Sequence, residues 1–233
     1  RQAYERALFF LKDSAQLTLV SIKTGDCYFN EGDYKGAYEY YTQAEKIAAD
    51  DSIRLESRLL SIRCLLMHGQ FAYSVEKLAE IENEADSGQL QRIIFYKGVA
   101  FLGLDELDSA RNSFHFLVRH DPAALTGIDV LFDQYKRSLR NPQTAMVMSV
   151  FLPGAGQLYA GDERNAVNSF LLVASFAGVA YGITLFYPID FALVVLPGTL
   201  RYYRGGIREA GRIAEERNER AKSKLLQELT LTL

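Results

Sequence analysis

Tryptophan is absent from this chain, and charge is nearly absent from one long stretch of it. The 233 residues include no tryptophan, two cysteines, three histidines and five prolines. Two cysteines cannot build the disulfide framework of a small secreted fold. The histidines are His68, His115 and His120. They form no HExxH pair, His115 and His120 do not share a helix face, and no CxxC or GxSxG string occurs. The sequence therefore predicts no catalytic residues, no metal site and no cofactor. A net charge of −3 without a basic stripe excludes a dedicated nucleic-acid binder. Aromatics at 12% and charged residues at 24% exclude a disordered or collagen-like chain. No small-molecule substrate is evident. The sequence opens at Arg1 rather than Met, so the lack of an export signal carries no information.

Charge is partitioned along the chain. Residues 1–140 are acidic overall, and residues 201–233 are basic. Between them, residues 141–200 hold only Arg164 against Asp162, Glu163 and Asp190. Three charge-free runs make up that block: Asn141–Gly161, Ala166–Ile189 and Phe191–Leu200. A membrane-spanning helix needs about 20 apolar residues. The second run meets this outright. The first is broken by Pro153, Gly154 and Gly156, and reads as a short helix, a tight turn and another short piece. The third reaches spanning length only if it extends from Pro188 to about Tyr203. Ser169, Ala174, Gly178 and Gly182 fall close to one helical face, which suits close packing in lipid.

The first part of the chain repeats itself. Gly25, Tyr28, Gly32-Asp33-Tyr34, Ala37, Tyr41 and Ala44 form one set. Thirty-seven residues on stand Ile62, Leu65, Gly69-Gln70-Phe71, Ser74, Leu78 and Ile81. Seventy-three on stand Gly98, Phe101, Asp105-Glu106-Leu107, Ala110, Phe114 and Leu117, with Pro122 closing the unit. Each set combines a polar turn with a stripe at helical spacing. This pattern resembles the tetratricopeptide repeat family over residues 1–122. The second set departs from it, because Ile62, Ser74 and Ile81 replace small residues. Ala3, Ala7 and Phe10 read as the second helix of an earlier, incomplete unit. Asp121-Pro122 and Asn141-Pro142 each read as an N-cap followed by proline. A capping helix is expected between them, with Ile128, Leu131, Phe132, Tyr135 and Leu139 inward.

The resemblance implies a solenoid of about three helix pairs whose concave groove binds a protein or peptide partner. It places Asp26, Asn30, Glu56, Arg63 and Arg92 in that groove. Cys27 and Cys64 occupy equivalent positions, too far apart for a disulfide, and read as buried free thiols.

The string Pro153-Gly-Ala-Gly-Gln-Leu-Tyr-Ala-Gly161 is the most specific motif. Its Pro153, Gly154, Gly156, Gln157, Tyr159 and Gly161 resemble the turn of small bacterial membrane proteins of the TM2-like family, in which two membrane helices flank a glycine-rich loop. A nucleotide-binding reading fails. Tyr159 replaces the third glycine of a GxGxxG, and Asp162-Glu163 stand where a phosphate loop needs Lys-Ser/Thr. Two carboxylates there would repel phosphate.

An amphipathic C-terminal helix is expected over residues 207–233. Its narrow stripe runs through Ile207, Ala210, Gly211, Ala214, Ala221, Leu225 and Leu229, with Asn218 as one polar interruption. Arg201, Arg204, Arg208 and Arg212 form a basic collar suited to anionic lipid. The sequence thus divides into a repeat domain (1–140), an apolar hairpin (141–206) and an amphipathic helix (207–233), all α. It predicts a non-catalytic, membrane-anchored adaptor of the bacterial inner membrane. The alternative is a soluble helical scaffold whose apolar hairpin forms a core or oligomer interface. Two crossings would leave Arg137, Arg140, Arg201 and Arg204 on one side, which the positive-inside rule makes cytoplasmic. A third crossing by Asn141–Gly161 would put the repeats opposite the C-terminal helix.

Overall fold

Aspartate and asparagine side chains start most of the helices. In the computed structural model, which describes residues 1–186 and 196–232, every regular element among those residues is helical. The first nine α-helices are α1 (Gln2–Phe10), α2 (Ser14–Asn30), α3 (Tyr34–Ile47), α4 (Asp51–Met67), α5 (Phe71–Ile81), α6 (Ser87–Gly103), α7 (Leu107–Leu117), α8 (Pro122–Ser138) and α9 (Pro142–Phe151). They are followed by α10 (Ala155–Tyr159), α11 (Glu163–Phe186) and α12 (Leu196–Thr232). Asp13, Asp33, Asp50 and Asp86 accept the backbone N–H three residues on, at 2.8–3.0 Å. Each satisfies one of the donors a helix start leaves open. Asp86 and Gln89 complete a reciprocal capping box. Asp121 and Asn141 cap α8 and α9 as the sequence predicts, with proline next in line.

The chain forms two compact units, Arg1–Phe132 with Leu229–Leu233, and Asp133–Glu228. In the first, consecutive helices pack on one another from α2 to α7, and α4 also packs on α6. The repeat positions fall where these helices meet. A Cβ placed on Gly25 would lie 2.7 Å from the Tyr41 ring, and one on Gly98 would lie 2.7 Å from the Phe114 ring. The glycine makes room for the aromatic ring in the first and third repeats. The second repeat makes the opposite choice at the same two positions. Ile62 fills the place of the glycine and Leu78 that of the aromatic, and both are buried. The departure read from the sequence is therefore a volume exchange, which a close-packed interior tolerates far better than either change alone. The turns agree as well. Gly32, Gly69 and Asp105 occupy equivalent positions, and all three have positive φ: 80°, 77° and 60°. Aspartate tolerates that region better than most residues with a Cβ.

α1 is helical, with Phe9 and Phe10 91% and 83% exposed. Two expectations are corrected. In α8, Ile128, Phe132 and Tyr135 are buried, whereas Leu131, and Leu139 just past its end, are only half-buried. Cys64 is buried and Cys27 half-buried, both free.

The second unit contains the apolar block. α9 ends at the Pro153-Gly154 break, and α10 is a five-residue helix, as the broken first run implies. α11 spans 24 residues, and none of its most apolar window is buried. Among the described residues it is the one helix long and apolar enough to cross a membrane. Pro188 and the first half of the Phe191–Leu200 run lie outside the described residues. α12 passes Gly205-Gly206 without a break, so the C-terminal helix starts at Leu196 and not at Ile207. Both glycines keep helical backbone, and continuous i to i+4 bonding overrides their weak propensity. A Cβ on Gly178 or Gly182 would meet nothing within 4 Å. Among the described residues, Gly178 and Gly182 of the small-residue face of α11 meet no other helix, whereas Ser169 meets Gln157 of α10.

Candidate functional site

The five residues assigned to the groove resolve into two clusters and an outlier. Asp26 Oδ1 accepts the Tyr41 hydroxyl at 2.8 Å, and Lys23 lies 3.6 Å from Asp26 Oδ2. Arg63 stacks over the Phe29 ring at 3.9 Å and points one N–H at the Tyr41 oxygen at 3.4 Å. Asp26 and Arg63 therefore meet at Tyr41. Burial, reinforced by the bond to Asp26, raises the pKa of that phenol well above its ordinary value. Burial also pushes the neighbouring Cys64 thiol up to about 12, with Arg63 opposing the shift. Glu56 and Arg92 form the second cluster, a bidentate pair joining α4 and α6, with one bond of 2.7 Å. Asn30 is exposed in the last turn of α2 and makes no side-chain hydrogen bond among the described residues. Four of the five side chains thus have partners within the chain. Their charge positions helices and is less available to a ligand than the sequence suggests.

The opening beside them went unread in the sequence. A cleft of about 390 Å³ lies between α2 and the start of α4. Ala15, Leu19, Ile22 and Ile53 line it, with Glu56 at its edge. Leu19 is 58% and Ile53 45% exposed. The signal was present: Ala15, Leu19 and Ile22 form an apolar stripe at i, i+4, i+7 on α2, beside the repeat residues.

In the second unit every motif residue has a packing or hydrogen-bonding role. Gly154 has a φ of +94°, and a Cβ there would lie 2.3 Å from the Ala166 carbonyl oxygen. At Gly156 a Cβ would lie 1.9 Å from the Ala145 carbonyl oxygen. Glycine is required at both, at the first for conformation and space, at the second for space alone. These contacts bring α9, α10 and the start of α11 close together. Gln157 is fully buried. Its Oε1 accepts the Ser149 hydroxyl at 3.1 Å. Its Nε2 donates to Ser169 Oγ at 3.1 Å and to the Gly206 carbonyl at 2.9 Å. One amide thereby joins α9, α11 and α12. Tyr159 lies under the Arg140 guanidinium, its carbonyl accepts Arg140 Nε at 3.2 Å, and its hydroxyl accepts the Asn141 N–H at 3.3 Å. Gly161, at φ +87°, admits Arg217, which donates to the Ala160 carbonyl at 3.0 Å. Pro153 ends α9 and lines a further cleft.

One residue read as incidental is part of the same frame. Asn218 makes reciprocal bonds to the Arg140 backbone, both at 2.8 Å. A polar interruption of the α12 stripe thus ties α12 to the end of α8. Alanines do the rest. Ala145, Ala160, Ala210 and Ala214 form a small-residue core with Ile213. Of the basic collar, Arg212 is bound between Glu209 and Glu216. Arg201, Arg204 and Arg208 are exposed, with no ion pair among the described residues.

No group of acidic, histidine or cysteine side chains able to hold a metal occurs among the described residues. Compared with known proteins, the chain matches no family model, no curated protein and no solved structure.

Proposed function

We propose that this protein is a membrane-anchored interaction module. In this reading the first unit is a tetratricopeptide-like solenoid that docks a partner segment, and the second unit holds it at a bilayer. The observation that carries the reading is α11: it stays apolar for 24 residues while its most apolar window has no side chain buried by the rest of the chain. Phe170, Leu171, Val179 and Leu185 are each 49–61% exposed. An apolar surface of this extent calls for cover by lipid or protein. The charged, capped helices of the first unit have a different solvent. Docking is assigned to the apolar cleft at Leu19 and Ile53, with Glu56 at its edge. Lipid contact by Arg201, Arg204 and Arg208, and an inner-membrane location in a bacterium, belong to the same proposal.

Alkaline carbonate extraction of membranes tests the anchor. The full chain is expected in the pellet, released only by detergent. Recovery in the supernatant as a discrete oligomer would favour instead the soluble scaffold with α11 as its interface. A photo-crosslinker at Leu19 should capture a partner that Ile53→Glu abolishes and Asn30→Ala leaves intact.

A further inference from the structure

The groove between α2 and α4 continues beyond the apolar cleft. Leu19 and Asp26 lie seven residues apart on α2, and Glu56 and Arg63 lie seven apart on α4. Seven residues make two helical turns, so each pair shares a face at a separation of about 11 Å. Leu19 and Glu56 line the cleft. Asp26 and Arg63 meet at the Tyr41 hydroxyl. The cleft and the Arg63 cluster are therefore two stations of one groove.

The charges along this groove are unequally satisfied. Glu56 is held by Arg92, and Asp26 by Tyr41 and Lys23. Arg63 forms no ion pair among the described residues, and its partners, the Phe29 ring and the Tyr41 hydroxyl, are neutral. The contact with Tyr41 is 3.4 Å long, beyond the usual range of about 2.7–3.2 Å. Its Nε is buried and has no hydrogen-bond partner. A guanidinium carries five N–H donors, so this one is held in place with donors to spare. Tyr96 on α6 lies near enough for Arg63 and Arg92 to oppose the rise that burial gives its phenol. Its hydroxyl makes no hydrogen bond among the described residues and adds a neutral donor.

The surroundings select the ligand. Asp26 and Glu56 border the site, so a singly charged anion fits it better than a phosphate dianion. A planar guanidinium matches a carboxylate. The cleft, about 390 Å³, is smaller than one α-helical turn, roughly 420 Å³ at 10 Å across and 5.4 Å high, so it receives side chains.

We propose that this groove binds an extended partner segment in which an aspartate or glutamate stands about three or four residues from an apolar side chain, the number that spans about 11 Å. The apolar side chain fills the cleft at Leu19 and Ile53, and the carboxylate pairs with Arg63. The proposal rests on the docking reading of the cleft and adds the chemistry of the partner.

Short random peptides displayed on phage test it, each fused through its C-terminus so that only side chains supply carboxylates. The target is the full chain in detergent. Selection should enrich an apolar residue with an acidic residue at the stated spacing. Changing that acidic residue to its amide in a selected peptide should weaken binding about fivefold, the upper range for a half-exposed ion pair. Arg63→Gln should abolish the acidic enrichment and keep the apolar one, Arg63→Lys should retain part of the acidic enrichment, and Ile53→Glu should abolish both. Circular dichroism reports whether each variant is folded. If Arg63→Gln unfolds, Arg63→Lys and the acid-to-amide comparison on the unaltered chain decide. Acidic enrichment that survives Arg63→Gln overturns the assignment to Arg63. Apolar enrichment that Ile53→Glu abolishes, without any acidic preference, overturns the acidic site and leaves the cleft as a docking surface. Enrichment of neither on the folded, unaltered chain overturns the docking reading, and the acidic site with it.

Discussion

The exchange of volume between repeat units can be tested by moving it. In the third unit Gly98 faces Phe114, and in the second the same places hold Ile62 and Leu78. Installing isoleucine at Gly98 puts its Cβ 2.7–3.0 Å from three atoms of the Phe114 ring. The ring is fully buried, with Phe95 at 5.9 Å and Phe132 at 6.2 Å, so it has no free direction to move. Overpacking of this kind costs about 1–3 kcal/mol. Exchanging glycine for isoleucine inside a helix returns only a few tenths, roughly 0.3–0.6 kcal/mol. Phe114→Leu alone opens space in the same place. It should cost about 1–2 kcal/mol, below the roughly 3–5 kcal/mol of a truncation to alanine. The double variant G98I/F114L rebuilds the pair the second unit already uses. It should be more stable than the sum of the singles by about 1–3 kcal/mol, the coupling expected of residues in contact. Denaturant unfolding followed by circular dichroism, with hydrogen exchange of α6 and α7 to localise the effect, measures the cycle. Single losses that add within about 0.5 kcal/mol would refute the volume exchange.

Other outcomes follow from the same geometry. Gln157→Leu leaves the Gly206 carbonyl and two serine hydroxyls without their partner, and should lower the stability of the second unit by about 1–3 kcal/mol, read as a fall in melting temperature in detergent; an unchanged midpoint would mean that Gln157 is not the junction of α9, α11 and α12. Gly154→Ala combines a positive φ with a clash against the Ala166 backbone, and should prevent accumulation of folded protein. Gly127→Ala, where a Cβ meets nothing within 4 Å, should raise stability by about 1 kcal/mol through helix propensity. Burial holds the Cys64 thiol protonated up to about pH 12, so a maleimide at neutral pH should label Cys27 first and Cys64 only after unfolding; mass spectrometry of the labelled peptides decides the order. Salt bridges hold the Glu80 carboxyl, through Lys77 and Arg58, below the ordinary carboxylate range. Its contribution to stability is present above the ordinary carboxylate pKa and is lost as pH falls through its lowered value. Glu80→Gln should therefore flatten the acid side of the stability profile and leave a small, constant loss at neutral pH.

Much of the local structure was legible in the sequence because its causes are local. The caps at Asp121 and Asn141, the polar turns of the repeat, the break at Pro153-Gly154 and the length of α11 depend on backbone conformation and on hydrophobicity along one segment, and neighbouring residues contain that information. The repeat positions were visible for the same reason: a period in the sequence becomes a period in the helices.

What the sequence could not decide was which groups meet across helices. Gln157 reads as a motif letter, and only the packing of α9, α11 and α12 around it turns it into a buried three-way junction. Asn218 reads as a flaw in an apolar stripe until the end of α8 is placed against it. Glu56 and Arg92, assigned to a partner, are drawn to each other because α4 and α6 set them at bonding distance, and opposite charges within reach pair before they recruit a ligand. Ile62 and Leu78 look like departures from a pattern, yet their volumes compensate, and compensation is a property of two side chains sharing one space. The order of residues along the chain specifies each helix by its own propensities and caps. Pairing, burial and clefts depend on distances between segments far apart in the chain, and those distances exist only once the helices have packed.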